Sequence, residues 1–180
     1  MRASRIAMVL CLFVAGPAVA QILSEKPAVC ADPDLKGSLA AWTNPARTAK
    51  ATQDATGANA APIAVGWPTH LTLVKSDSVH FVAPTRKDMP KDFIYGGLAS
   101  FDVPKDGTYR VAAVEGPWMD VIQNGSVATS VSFGKGFNCE GKHVDFPLKA
   151  GRVLLQMVGS PDAAIDVLIV PIDVLLVPLP

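Results

Sequence analysis

The stretch FNCEGKHVDF, Phe137 to Phe146, sets Cys139, Glu140, His143 and Asp145 within seven residues. Thiolate, imidazole and carboxylate are the ligand types of zinc and iron sites, which need three or four of them converging on one point. A strand through 143–148 would turn Val144, Phe146 and Leu148 inward and His143 and Asp145 outward, as a solvated pair. Cys139 has a competing use. Cys11 falls in the N-terminal apolar run, which leaves Cys30 and Cys139. In an oxidising compartment two such cysteines are expected to pair, and an oxidised cysteine cannot ligate. The cluster therefore reads as a disulfide anchor beside a surface strand, with a ligand-contacting loop or a metal site as the alternatives.

The remaining chemistry-bearing residues are sparse. His70 and His80 complete a set of three histidines, with no His-x-His or His-x-x-x-His among them. An iron-dependent, dioxygenase-like enzyme would need His70, His80 and His143 to converge through the fold. There is no Gly-x-Ser-x-Gly elbow, Ser100 has no activating neighbour, and FGKGF (133–137) lacks the strand-loop-helix setting of a phosphate loop. Glu115 and Asp120 form a carboxylate pair with nothing to fix a working separation. For binding, Trp67, Tyr95, Gly96 and Gly97 are candidates, because rings stack on ligands and glycines permit close approach. Asp120 joins them as a carboxylate on an otherwise apolar strand face. Trp42 and Trp118 are aromatic candidates too, and for every tryptophan core packing is the competing reading. No cofactor is expected.

The elements that position these residues begin after a leader. Arg2 and Arg5, the apolar run Ile6–Gly16 and the small residues ending at Ala20 have the form of a secretory signal peptide. The run is too short to span a bilayer as a helix. The mature chain is expected to start at Gln21 and to be periplasmic or secreted. Without Arg2 and Arg5 the balance is 14 basic to 16 acidic residues, which gives no electrostatic footprint for nucleic acid. The expected partners are a small molecule, a glycan or an envelope protein.

Residues 21–62 are rich in Ala, Thr, Asn and Asp and are expected to be irregular, with a helical turn or two laying Leu39 and Trp42 on the domain. From 63 to 171 short β-prone runs alternate with turn signals, which predicts an all-β, jelly-roll-like antiparallel sandwich of eight to nine strands. The runs are 69–74, 79–83, 96–103, 108–114, 118–123, 126–133, 143–148, 152–158 and 164–170. Asn124-Gly125 predicts a type I′ hairpin that pairs Gln123 with Ser126, Ile122 with Val127, Asp120 with Thr129 and Trp118 with Val131. Alternation then places Val127, Thr129, Val131 and Phe133, with Trp118, Asp120 and Ile122 opposite, on the core face.

The C-terminus holds a tandem repeat. IDVLIVP (165–171) is followed by IDVLLVP (172–178), differing at one position. One copy suffices to finish a sandwich. The second, within 172–180, is an apolar extension expected to pack along an edge or add to another chain's edge.

At VPKDGTYRVA, GPWMDVIQNG, NCEGKHVDFPL and KAGRVLLQMVG the chain resembles a group of small secreted proteins of alphaproteobacteria that often carry the label homogentisate 1,2-dioxygenase. The resemblance covers roughly residues 65–171. It implies a compact β-sandwich and an exported location, and no established activity. Homogentisate dioxygenases themselves are much longer cupin-fold enzymes that hold iron with two histidines and a glutamate, a triad not readable here. The leading expectation is a non-catalytic binding or accessory module of the periplasm or envelope. The alternatives are the His-ligated metalloenzyme and a structural protein that assembles through its C-terminal strand.

Overall fold

The computed structural model describes residues 37–60, 62–85, 90–114, 116–135 and 141–172. The expected signal peptide and Cys30–Cys139 pairing, Glu140, Glu115 and the second heptad copy after Ile172 lie outside the described residues. Among the described residues, eleven strands form two packed sheets. The six-stranded sheet orders β1 (Arg47–Lys50), β2 (Thr69–Thr72), β11 (Ala164–Ile172), β5 (Gly107–Ala113), β9 (Lys142–Leu148) and β8 (Ser132–Gly134). The five-stranded sheet orders β3 (Val74–Lys75), β4 (Tyr95–Val103), β10 (Gly151–Ser160), β6 (Trp118–Gln123) and β7 (Ser126–Val127). All pairs are antiparallel except β1 with β2. From β2 onward the chain crosses between the sheets at β2–β3, β4–β5, β5–β6, β7–β8, β9–β10 and β10–β11, as in the jelly-roll arrangement of an all-β sandwich.

The core lies between the sheets and is made by alternate residues. Tyr109, Val111 and Ala113 of β5, Val144, Phe146 and Leu148 of β9, and Ile165, Val167 and Ile169 of β11 meet Phe101, Met119, Val121, Val153, Leu155 and Met157 from the other sheet. The inward set on 143–148 is the one the sequence predicts. Its outward partner Asp145 is not solvated, however. It is buried, held by Arg110 Nε at 2.8 Å and Nη2 at 3.0 Å, because Arg110 sits directly opposite on β5.

Three other expectations are corrected. Residues 43–60, within the segment expected to be irregular, are regularly bonded. They supply β1, a bridge from Thr52 to Leu98, and helix α1 (Ala55–Ala60). Small side chains suit this path, since Ala51 and Ala58 are buried where larger ones would not fit between strand and strap. The expected turn is present as a 3₁₀ segment, Gly37–Thr43, which buries Trp42 against Ala112, Leu168 and Val170 with Leu39 beside it. Residues 79–83 are not a strand. Gln156, fully buried, accepts hydrogen bonds from the amides of Val82 and Ala83 and so replaces a strand partner with one side chain. Finally, 69–74 divides at Leu73 into β2 and β3, one in each sheet, and turns a sandwich corner.

The hairpin at Asn124-Gly125 is as predicted, with φ of 53° and 76°, and the first two expected pairs form. The chain then leaves. Ala128 donates to the Val121 carbonyl, Val131 donates to the Asp145 carbonyl, and β8 joins the opposite sheet. Asp120 and Trp118 consequently have no partner in Thr129 or Val131.

Candidate functional site

That departure creates the candidate site. Where β7 stops, the edge of β6 from Trp118 to Asp120 faces a cleft of about 360 Å³ between the sheet edges. Its walls are Met119, Ala128, Phe133, Val144 and Phe146, with Trp118, Asp120, Ser130 and Lys142. The face predicted to be core is the uncovered one. Phe133 pairs with Val144 and shares its side of the sheet, but β8 overhangs the shorter five-stranded sheet and Phe133 is 78% exposed. Val131 is 62% and Val127 48% exposed. Inward-facing on β6 are Met119 and Val121. Ile122 lies on the outer face under α1 with Leu98 and Leu154, and Asp120 shares that face through its register with Gln156.

The polar groups at the cleft are organised around Trp118. Its indole Nε1 donates to Asp120 Oδ2 at 2.9 Å, and the Lys142 ammonium stands 5.1 Å from its ring centroid. Lys142 also donates to the Pro117 carbonyl at 3.0 Å. The ring is thus held at its N–H and across its face. Gln156 Nε2 approaches Asp120 Oδ2 at 3.5 Å while donating to the Ala83 carbonyl at 3.0 Å. Asp120 Oδ1 accepts no hydrogen bond among the described residues. Burial pushes the Asp120 carboxyl above its ordinary range, and the indole, Gln156 and Lys142 offset part of that rise.

Of the sequence candidates, Asp120 and Trp118 line the cleft. Trp67 is at the far edge of the molecule, with the Arg47 guanidinium 4.4 Å from its ring centroid. Tyr95 is half-buried at the end of β4, opposite Ser160. Gly96 and Gly97 serve packing. A Cβ on Gly96 would stand 2.6 Å from the Met157 carbonyl oxygen, and one on Gly97, whose φ is 150°, 2.7 Å from Ala51 Cβ. Gly97 admits the strap at 51–52, and Gly96 the close approach of β10, Ser76 and Phe81.

The histidines do not converge. His70 bonds Asp166 through Nδ1 at 2.8 Å, as its cross-strand neighbour. His143 lies three strands away across β11, β5 and β9, roughly 14 Å at ordinary strand spacing. His80 lies over the other sheet, its amide bonded to Gln53. Among the described residues no three of His, Cys, Asp and Glu gather as a metal site. Sequence reasoning missed Lys142 and Ser130, and it placed Phe133 on the wrong side of the solvent boundary. The signal for Phe133 was present as an alternating apolar run with no second run to cover it.

No protein-family model and no curated protein matches this chain. No helix among the described residues is long and apolar enough to cross a membrane.

Proposed function

We propose that the chain is exported and works as a non-catalytic binding module, with the open-edge cleft as its ligand site. The observation that carries this reading is an apolar-walled slot whose mouth exposes Trp118 and Phe133 around a carboxylate oxygen, Asp120 Oδ1, that accepts no hydrogen bond among the described residues. Concave, apolar sites with few convergent polar groups are the usual form of ligand pockets. A ligand suited to this one has an apolar body and one hydrogen-bond donor. With Lys142 close by, a neutral donor such as a hydroxyl or amide is favoured over a second cation. Export rests on the leader sequence, and a mature mass beginning at Gln21 would support it.

The test is a titration with phenols and alkyl glycosides, read at the Trp118 indole N–H resonance and assigned with Trp118→Phe. Saturable shifts are expected, and Phe133→Ser should weaken them. An indole resonance that stays fixed through the whole panel overturns the reading.

A further inference from the structure

Resting on that reading of the open edge, we propose that its occupant is an extended segment of a second copy of this chain: the part of the repeated heptad that follows Ile172, residues 173–178, of a neighbouring molecule.

The slot is shaped for a strand. β6 pairs with β10 along Trp118–Ile122, whereas β7 pairs only at Ile122 and Gln123, followed by the single bond from Ala128 to Val121. In an antiparallel ladder successive residues point their amide and carbonyl to alternate sides. Gln123 and Val121 point toward β7, so Met119 does as well, and no strand lies opposite Met119 among the described residues. An added strand would continue the row that β7 abandons. Its inward side chains would enter the cleft over Met119, Val144 and Phe146. Its backbone would gain the main-chain bonds that give strand addition its affinity.

The first heptad shows what such a strand looks like in this sandwich. In β11, Ile165, Val167 and Ile169 face the core while Leu168 and Val170 face outward under Trp42. The second copy repeats this pattern with Leu176 in place of Ile169. It is therefore apolar on both faces, which suits a position covered on one side by the cleft and on the other by the exposed rings. The exposed Val127, Val131 and Phe133 form the matching surface; uncovered apolar patches of this kind mark interaction sites.

Reach favours a neighbour over the chain's own tail. Ile172 pairs with Thr108, at the end of the sandwich where Gln123 bonds Lys149, away from the cleft. Reaching β6 from there means crossing from β11 toward β9, passing to the other sheet and doubling back, on the order of 20 Å. Residues 173–178 fully extended span about 20 Å, which leaves nothing to lie in the slot. A tail-into-slot contact is heterologous, so it links copies into rings or chains rather than stopping at a symmetric dimer.

The test compares the mature chain (21–180), a truncation ending at Ile172, and Phe133→Asp by sedimentation velocity, with a synthetic heptapeptide of sequence IDVLLVP as probe. The mature chain should associate with rising concentration. The truncation, with unchanged circular dichroism, should stay monomeric and bind the heptapeptide with shifts at the Met119 and Val121 amides. Phe133→Asp should weaken that binding by about tenfold or more, as for a central apolar anchor. Association that survives truncation, or a heptapeptide that leaves those amides unmoved, overturns this inference. If the small-molecule panel still shifts the Trp118 indole in that second case, the binding-module reading stands alone; if it does not, both fall.

Discussion

The two edges of the sandwich are finished in opposite ways. At the β1/β3 edge the chain crosses between sheets three times. Ala51 bonds Thr72 in one sheet while Thr52 bridges Leu98 in the other. Ile63 bonds Ser100 while Gly66 bonds Ile169, and the third crossing is the corner at Leu73. At the β7/β8 edge it crosses once, through 128–131. Three crossings satisfy the β4 edge, whereas one crossing leaves the β6 edge at Met119 without a neighbouring strand among the described residues and exposes four large apolar side chains. A strand edge that is neither paired, covered nor charged is ordinarily selected against. The laced edge answers that pressure with backbone bonds, and the open edge retains an exposed apolar surface. Backbone lacing and exposed apolar surface therefore fall on opposite sides of one fold.

Substitutions should separate the two. The largest effect is expected at the laced edge, where Gly97→Val would drive a branched side chain into Ala51 at a φ of 150°. A loss of about 3 kcal/mol in denaturant unfolding is expected; a loss within 0.5 kcal/mol, about the scatter of surface changes, would show that the strap is not part of the folded unit. Next, Asp145→Ala removes the bidentate partner of the part-buried Arg110. Urea titration should show it about 2–3 kcal/mol less stable.

At the open edge the effects shrink and change sign. Burial raises the Asp120 carboxyl from its ordinary 3.8, so over the pH range just above that value the native state holds more protons than the unfolded chain. Its contribution to stability therefore falls as pH rises through that window. Asp120→Asn should flatten this slope and gain roughly 0.5 kcal/mol or less near neutrality, since solvent screens a half-exposed group. Thermal melts at several pH values would show it, and an unchanged slope would place the titration elsewhere. Smallest of all, Phe133→Ser should leave the melting temperature within a degree or two, with a ΔΔG of about 0.5 kcal/mol at most, while weakening ligand binding. A large drop in stability would mean that Phe133 belongs to the core after all.

Much of the strand plan is legible because it depends on near neighbours. Asn124-Gly125 selects its turn through the φ values that both residues tolerate, and Val144, Phe146 and Leu148 alternate because successive side chains point to opposite faces. The wrapping of 43–60 is not legible. Alanine and threonine at those positions carry no periodicity, and their role is to be small enough to pass over Gly97 and Leu98. Gln156 is likewise silent in the sequence, although it holds 82–83 in place of a strand. The candidate site was half visible. Asp120 drew notice as a carboxylate on an apolar strand, but Lys142 sits 22 positions away in the sequence and meets Trp118 only through the sheet-to-sheet crossing.

The sequence by itself determined the all-β class, most of the strands, the hairpin and its first two pairs. Those follow from alternation and turn chemistry within a few residues. Which apolar face became core was decided by the tertiary structure alone. Val127 to Phe133 alternate as a core strand does, yet burial requires a second surface at the right distance, and the chain carries this run past the edge of the shorter sheet. The same run in a longer sheet would have been interior; here it lines the rim of a cleft.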